Sequence, residues 1–97
     1  SNSKVTELKK AMNKDGYSKL KVDKKLTSAM KAAMKKIKIR RGRRGQVVKF
    51  VQKIVGTKQD GIYGSKTAAA VKRYQRKHKL TVDGVVSYKT LLKMIGG

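Results

Sequence analysis

The strongest constraint on this chain is that it says the same thing twice. With residue 48 set over residue 71, VKFVQKIVGTKQDGIYGSKT lies over VKRYQRKHKLTVDGVVSYKT without a gap, a period of 23 residues. Val48/Val71, Lys49/Lys72, Gln52/Gln75, Asp60/Asp83, Gly61/Gly84, Lys66/Lys89 and Thr67/Thr90 coincide. Each copy reads as a helix ending in an apolar residue and Gln, a linker, an Asp-Gly turn, and the start of the next helix. Such self-similarity at fixed spacing marks a repeated supersecondary unit.

Periodicity supports the helices. Val47, Val51, Ile54 and Val55 recur at helix-face intervals, as do Val71, Tyr74, Gln75 and His78, and then Tyr88, Leu91, Leu92 and Ile95. Ser65 or Thr67 is expected to cap the second helix and Ser87 or Thr90 the third, because a hydroxyl there can accept a first-turn N–H that lacks a partner. Asp60 and Asp83 precede glycine, where Gly favours the positive φ of a tight turn and Asp supplies an acceptor for the turn's own amides. These two aspartates are therefore read first as structural.

Upstream, Val5, Leu8 and Met12 predict one helix, and Leu26, Met30, Ala33, Met34 and Ile37 another. VTELK followed by KVDKKLTSAM echoes the repeat faintly, with Asp23-Lys24 in place of Asp-Gly. Residues 4–38 are read as a degenerate half-repeat packed on the core. An independent helical hairpin is the alternative, one that so short a segment would struggle to stabilise alone. Residues 1–3 look like a cloning remnant or cut point, so the natural protein is expected to be longer, with a targeting signal or catalytic part elsewhere. The fold class expected is all-α: a compact bundle of about five short helices.

Charge narrows the partner. Lys and Arg number 27 against 5 acids, a net charge of +22. That field reaches roughly 8 Å at physiological salt, one Debye length, and selects polyanions. Nucleic acid, anionic membrane and the polymers of a bacterial cell wall all qualify. The absence of cysteine excludes a disulfide scaffold and thiolate metal ligands. No apolar run approaches the roughly 20 residues of a membrane span, so membrane insertion is not expected, although residues 24–37 are the one candidate for a membrane-active cationic helix. His78 is the only histidine and is read as a partly buried helix residue. With no zinc spacing, paired carboxylates or Ser-His-Asp set, no catalytic residue, metal or cofactor is expected.

IRRGRRGQVVKFVQ at 39–52, DGIYGSKTAAAVKRYQRKHKLTVDG at 60–84 and KTLLKMIG at 89–96 together resemble the peptidoglycan-binding domain of the type 1 family. Such domains are carried by bacteriophage endolysins, amidases and other wall hydrolases. The resemblance implies a domain over residues 39–97: a helical bundle with its loops on one side, attached non-covalently to peptidoglycan while a separate catalytic domain cuts. It places Gly42 and Gly45 in the turn before the first helix, Asp60, Gly61, Tyr63, Gly64 and Thr67 in the loop signature, Tyr74 on the second helix, and Asp83, Gly84 and Thr90 in the second loop. Departures are visible too. Ser65 and Tyr88 replace the family's frequent proline, Leu91 its tryptophan, and Ser87 the second loop's glycine.

Chemistry extends the candidate surface. Sugar faces lie against aromatic rings, which suggests Tyr63, Tyr74 and Tyr88, and stem-peptide carboxylates pair with cations, which suggests Lys66 and Lys89. The plainer alternatives are core packing for Tyr74 and solvation for the lysines, and for Tyr63 and Tyr88 a structural role stands equally beside the sugar contact. Arg40, Arg41, Arg43 and Arg44 suit a clamp on carboxylate or phosphate, teichoic acid phosphates included, because guanidinium binds both oxygens at once. A solvated turn and nucleic-acid targeting compete for the same run. The two loops are expected to share one concave face that grips a wall polymer. That implies a site in the bacterial wall or outside the cell, for a phage lysin or a secreted enzyme. A small basic nucleic-acid-binding domain is the main alternative, and non-specific nucleic-acid binding is expected from charge alone.

Overall fold

The computed structural model describes residues 2–96. Five helices follow one another: α1 (Asn2–Lys14), α2 (Ser28–Met34), α3 (Gln46–Val55), α4 (Ser65–Lys77) and α5 (Tyr88–Met94). Among the described residues the only β features are two isolated antiparallel bridges, Ile39 with Val86 and Arg44 with Ile62. The bundle is all-α, as the periodicity predicts.

Every helix contributes to one core. Leu8 and Met12 from α1, Met30 and Met34 from α2, Val51 from α3, Val71 from α4 and Leu91 from α5 are fully buried in a single cluster. α1 packs on α3, α3 on α4, and α2 on α5. The radius of gyration is 12.1 Å, against about 12.5 Å for a compact chain of this length. The first two helices are therefore part of the same globule. The apolar face of α2 is spent on this core through Met30, Ala33 and Met34, which leaves no apolar stripe for a membrane surface. None of the described helices is long and apolar enough to cross a membrane.

The seven shared positions carry a hydrogen-bond pattern that the two copies largely share. In the first copy Gln52 Nε2 donates toward Asp60 Oδ1 (2.9 Å), the Ile62 carbonyl (3.0 Å) and Thr67 Oγ1 (3.0 Å), while its Oε1 accepts from Gly61 N (2.9 Å). In the second, Gln75 Nε2 faces Asp83 Oδ1 (3.1 Å), the Val85 carbonyl (3.0 Å) and Thr90 Oγ1 (3.3 Å), and Oε1 accepts from Gly84 N (3.0 Å). Each aspartate also accepts from the amide two residues on, Ile62 or Val85. Gly61 and Gly84 hold φ at 75° and 70°, which glycine adopts without strain.

This arrangement corrects the capping expectation. Gly64 and Ser87 stand at the N-caps of α4 and α5, and neither end has a side-chain cap bond. Thr67 and Thr90 point inward instead, because the buried Gln amides need acceptors there.

A third aspartate repeats the geometry with different chemistry. Asp23 Oδ1 accepts from Lys25 N two residues on (3.0 Å), and α2 starts five residues after Asp23, as α4 and α5 do after Asp60 and Asp83. Its partner is Lys9 Nζ at 2.5 Å. Lys9, 2% exposed, follows the core residue Leu8 as Gln52 follows Val51. Buried Met30 stands where Thr67 and Thr90 stand, since ammonium spent on Asp23 asks for no hydroxyl. The Lys9 ammonium, and after it the Lys25 amide, hold the Asp23 carboxyl below its ordinary value.

Candidate functional site

Residues 39–45 form a strap that ties the two loops together. Ile39 exchanges both backbone bonds with Val86 (3.0 and 2.8 Å), Gly42 N donates to the Tyr63 carbonyl (2.9 Å), Tyr63 N donates to the Arg43 carbonyl (2.9 Å), and Gly45 N donates to the Gly61 carbonyl (2.9 Å). Tyr63 Oη donates directly to the Gly84 carbonyl across the loops at 2.6 Å. Both Asp-Gly loops and the arginine turn are thereby fixed against each other. Arg43 N closes the turn on the Arg40 carbonyl (3.1 Å), with Gly42 at φ 96°.

The end of the strap is held by an acid from elsewhere. Asp15, just beyond α1, accepts from Gln46 N (2.9 Å) and Val47 N (2.8 Å) and so caps α3. A Cβ at Gly45 would lie 2.8 Å from an Asp15 oxygen, at a φ of 140°. Only glycine lets the carboxylate approach this closely.

Burial sorts the expected binding residues. Tyr63 is 1% exposed, and burial pushes its phenol up to about 12. Its ring is closed to any ligand, so the expected sugar contact is corrected to a core role. Gly61, Gly84 and Thr67 are likewise buried and act as scaffold. Asp60 and Asp83 reach the surface, but their carboxylates are engaged by the turn amides and the glutamines. The Ile62 amide, and after it the Gln52 amide, keep the Asp60 carboxyl below its ordinary value.

What remains available is cationic and aromatic. Lys66, Lys89, Arg40, Arg41, Arg43 and Arg44 are exposed. Gly64, Tyr74 and Tyr88 are half-buried. Lys35 Nζ lies 5.3 Å above the Tyr88 ring, and the Tyr74 ring lies 4.1 Å from that of His78, tilted by 37°. Burial raises the Tyr74 phenol. All five acids are already engaged: Glu7 with Lys53, Asp15 at the α3 cap, Asp23 with Lys9, and Asp60 and Asp83 in their turns. Among the described residues no acid pairs with the four strap arginines, and the Arg43 guanidinium donates to the Tyr17 hydroxyl at 3.3 Å.

The concavity differs from the expected one. A hollow of about 750 Å³ lies beside the first loop, lined by Asp60, Ile62, Gly64 and Lys66 with Lys58 and Arg73. Ile62 there is 46% exposed, and Thr57 Oγ1 in its wall is buried without a hydrogen-bond partner. Asp83, Gly84, Tyr88 and Lys89 do not reach this hollow, because Tyr63 and the strap occupy the junction between the loops. The two loops share a scaffold, and the first alone borders the hollow. No group of three or more potential metal ligands forms among the described residues.

Sequence reasoning passed over Lys58 and Arg73, which the repeat does not mark, and over Asp15, whose partners lie 31 and 32 residues away. It recorded Gln52 and Gln75 as matching positions without a role, although their register with the Asp-Gly turns was the available signal.

Compared with known families, residues 46–94 match the model described as "Putative peptidoglycan binding domain". No curated protein and no solved structure matches the chain.

Proposed function

The chain belongs to this peptidoglycan-binding domain family, and from that membership we propose that it binds bacterial cell-wall peptidoglycan and holds an attached wall hydrolase, such as a phage endolysin, against its substrate. The family match carries the reading, because it spans both Asp-Gly units and their glutamine clasps. The chain's own part is attachment. Catalysis belongs to a separate domain of the parent protein.

The geometry supports a division of labour. The clasped loops set the shape of the surface. Ile62, Lys66, Lys58 and Arg73 around the first hollow combine an apolar contact with cations, the combination that a stem peptide with its methyl groups and carboxylates requires. The exposed arginines of the strap, with no internal acid to neutralise them, speed encounter with anionic wall polymers, teichoic acid phosphates among them.

The test is co-sedimentation of the purified chain with sacculi stripped of teichoic acid, at moderate salt. Pelleting is expected. A chain that stays in the supernatant while still binding duplex DNA with a sequence preference would replace this reading with the nucleic-acid one.

A further inference from the structure

A groove of about 650 Å³ lies between α1 and α3, and the two helices build it alike. Lys10, Ala11 and Lys14 of α1 repeat the spacing of Lys49, Phe50 and Lys53 of α3. The four lysines are exposed while Ala11 and Phe50 are buried, so cations stand at the rim above an apolar floor. Val22 adds to the lining an apolar side chain that is 42% exposed. Glu7 is the one acid there, and Lys53 already holds it. Among the described residues no acid pairs with Lys10, Lys14 or Lys49. The groove shares no residue with the hollow beside the first loop. Its α1 wall lies outside residues 46–94, so half of it is an addition to the matched domain.

We propose that this groove docks an acidic amphipathic helix of a partner protein, with an apolar side chain seated over Ala11 and Phe50 and carboxylates on the lysine rim. The docking goes beyond wall attachment and does not depend on it. Charge complementarity selects the occupant. Lys10 and Lys14 stand one turn apart, about 6 Å at the helical rise, and carboxylates one turn apart on a facing helix meet them in register. A second copy of this chain is a poor occupant, because each copy carries +22 and its five acids are all engaged. A phosphate polymer would neutralise the lysines but leave Val22 and the apolar floor in water. A neutral apolar segment would cover the floor and desolvate ammonium groups that it cannot pair, at a cost. A segment carrying both kinds of side chain satisfies the groove.

The probe is a fluorescein-labelled peptide of glutamates with leucine at every third or fourth position, titrated into the full chain at physiological salt and followed by anisotropy. It should bind about 10-fold or more tighter than an all-glutamate peptide of equal charge, the gain expected from burying a leucine side chain. Lys10→Gln/Lys14→Gln should weaken it about 3-fold to 10-fold, the loss of two exposed ion pairs. Lys36→Gln/Lys38→Gln removes the same charge from exposed positions outside the groove and should leave the affinity unchanged. Equal affinity for the all-glutamate peptide, or equal losses in the two double variants, would reduce the interaction to net charge and overturn the proposal. A silent titration would overturn it as well. So would a peptide that displaces the chain from sacculi, which would make the groove part of the wall-binding face. Self-association of the chain in sedimentation velocity that Lys10→Gln/Lys14→Gln alters would hand the groove to a second copy and overturn the acidic partner.

Discussion

Gln52 Nε2 lies 2.9 Å from Asp60 Oδ1 while its Oε1 takes the Gly61 amide at 2.9 Å, so one buried side chain clamps the acid and the glycine of the same turn. Gln75 does the same to Asp83 and Gly84. Gln52→Leu keeps the volume and removes the clamp, stranding the Gly61 amide and the Thr67 hydroxyl. A loss of about 2–3 kcal/mol is expected, since a buried unsatisfied polar group costs about 1–3 kcal/mol. In a domain this small each kcal/mol lowers Tm by about 4–8 °C, so thermal unfolding should show a fall of at least 8 °C. An unchanged Tm would mean that the clasp is incidental.

Acid should loosen these turns. Asp60 and Asp23 are both held below the ordinary carboxylate value of 3.8, Asp60 by the Ile62 amide and then Gln52, Asp23 by Lys9 and then the Lys25 amide. A carboxyl whose folded pKa is depressed contributes stability that is fully present above the unfolded pKa and is lost as pH falls through the folded one. Stability to urea should therefore be flat with respect to these groups above about pH 5 and decline below pH 4. In Asp60→Asn/Asp23→Asn that acid-side decline should become shallower. A wild-type slope retained in the double variant would assign the decline to other groups.

Asp15 and Gly45 should prove energetically coupled. Asp15→Ala removes the α3 cap and should cost about 1 kcal/mol, within the usual range for cap deletions. Gly45→Ala drives a Cβ into the Asp15 carboxylate at 2.8 Å and also strains a φ of 140°. Once Asp15 is gone the clash is relieved and only the backbone strain remains. The double variant should thus be less destabilised than the sum of the singles, by 0.5 kcal/mol or more in a denaturant cycle. Strict additivity would show that the carboxylate does not sit over Gly45.

These relationships explain what the sequence made legible. The Asp-Gly turns and most of the helix spans are local, written in turn chemistry and in periodicity, and appear where expected, although α2 is shorter than its apolar pattern and leaves Leu26 and Ile37 outside it. The direction of Thr67 is not local, since Thr67 turns inward only because Gln52, 15 residues earlier, needs an acceptor. Tyr63 reads as a loop residue by position, and only the closure of the strap over it puts it in the core. Asp15 looks idle in sequence because the amides it satisfies belong to a helix that tertiary packing brings alongside α1. The shared cleft failed for the same reason, since nothing local to either loop records that Tyr63 and the strap would fill the space between them.

The strap arginines should act on rate and on salt dependence more than on specificity. They are exposed, and among the described residues no acid pairs with them. Replacing Arg40, Arg41, Arg43 and Arg44 by Gln should weaken sedimentation with teichoic-acid-bearing walls at low salt, and much less with stripped sacculi. The difference should shrink as ionic strength rises and the Debye length falls toward 3 Å near 1 M. Equal losses on both wall types at all salt concentrations would instead make the arginines direct contacts to peptidoglycan.

Lys9 offers the sharpest test of whether the N-terminal segment is a third copy of the unit. In the two clear copies a Gln serves the Asp, the turn amide and a Thr hydroxyl; in the N-terminal segment Lys9 serves Asp23 and Met30 takes the Thr position. Lys9→Gln by itself should destabilise, because the buried amide finds Asp23 but no hydroxyl. Met30→Thr by itself should also destabilise, by burying a hydroxyl without a donor and leaving a cavity. If the segment shares the unit's geometry, Lys9→Gln/Met30→Thr rebuilds the clasp, and the hydroxyl and amide satisfy each other. The cycle should then return a favourable coupling of about 1 kcal/mol or more, the size expected for contacting residues in one hydrogen-bond network. A coupling near zero would mean that the matching offsets are coincidental and that Lys9–Asp23 is an isolated ion pair.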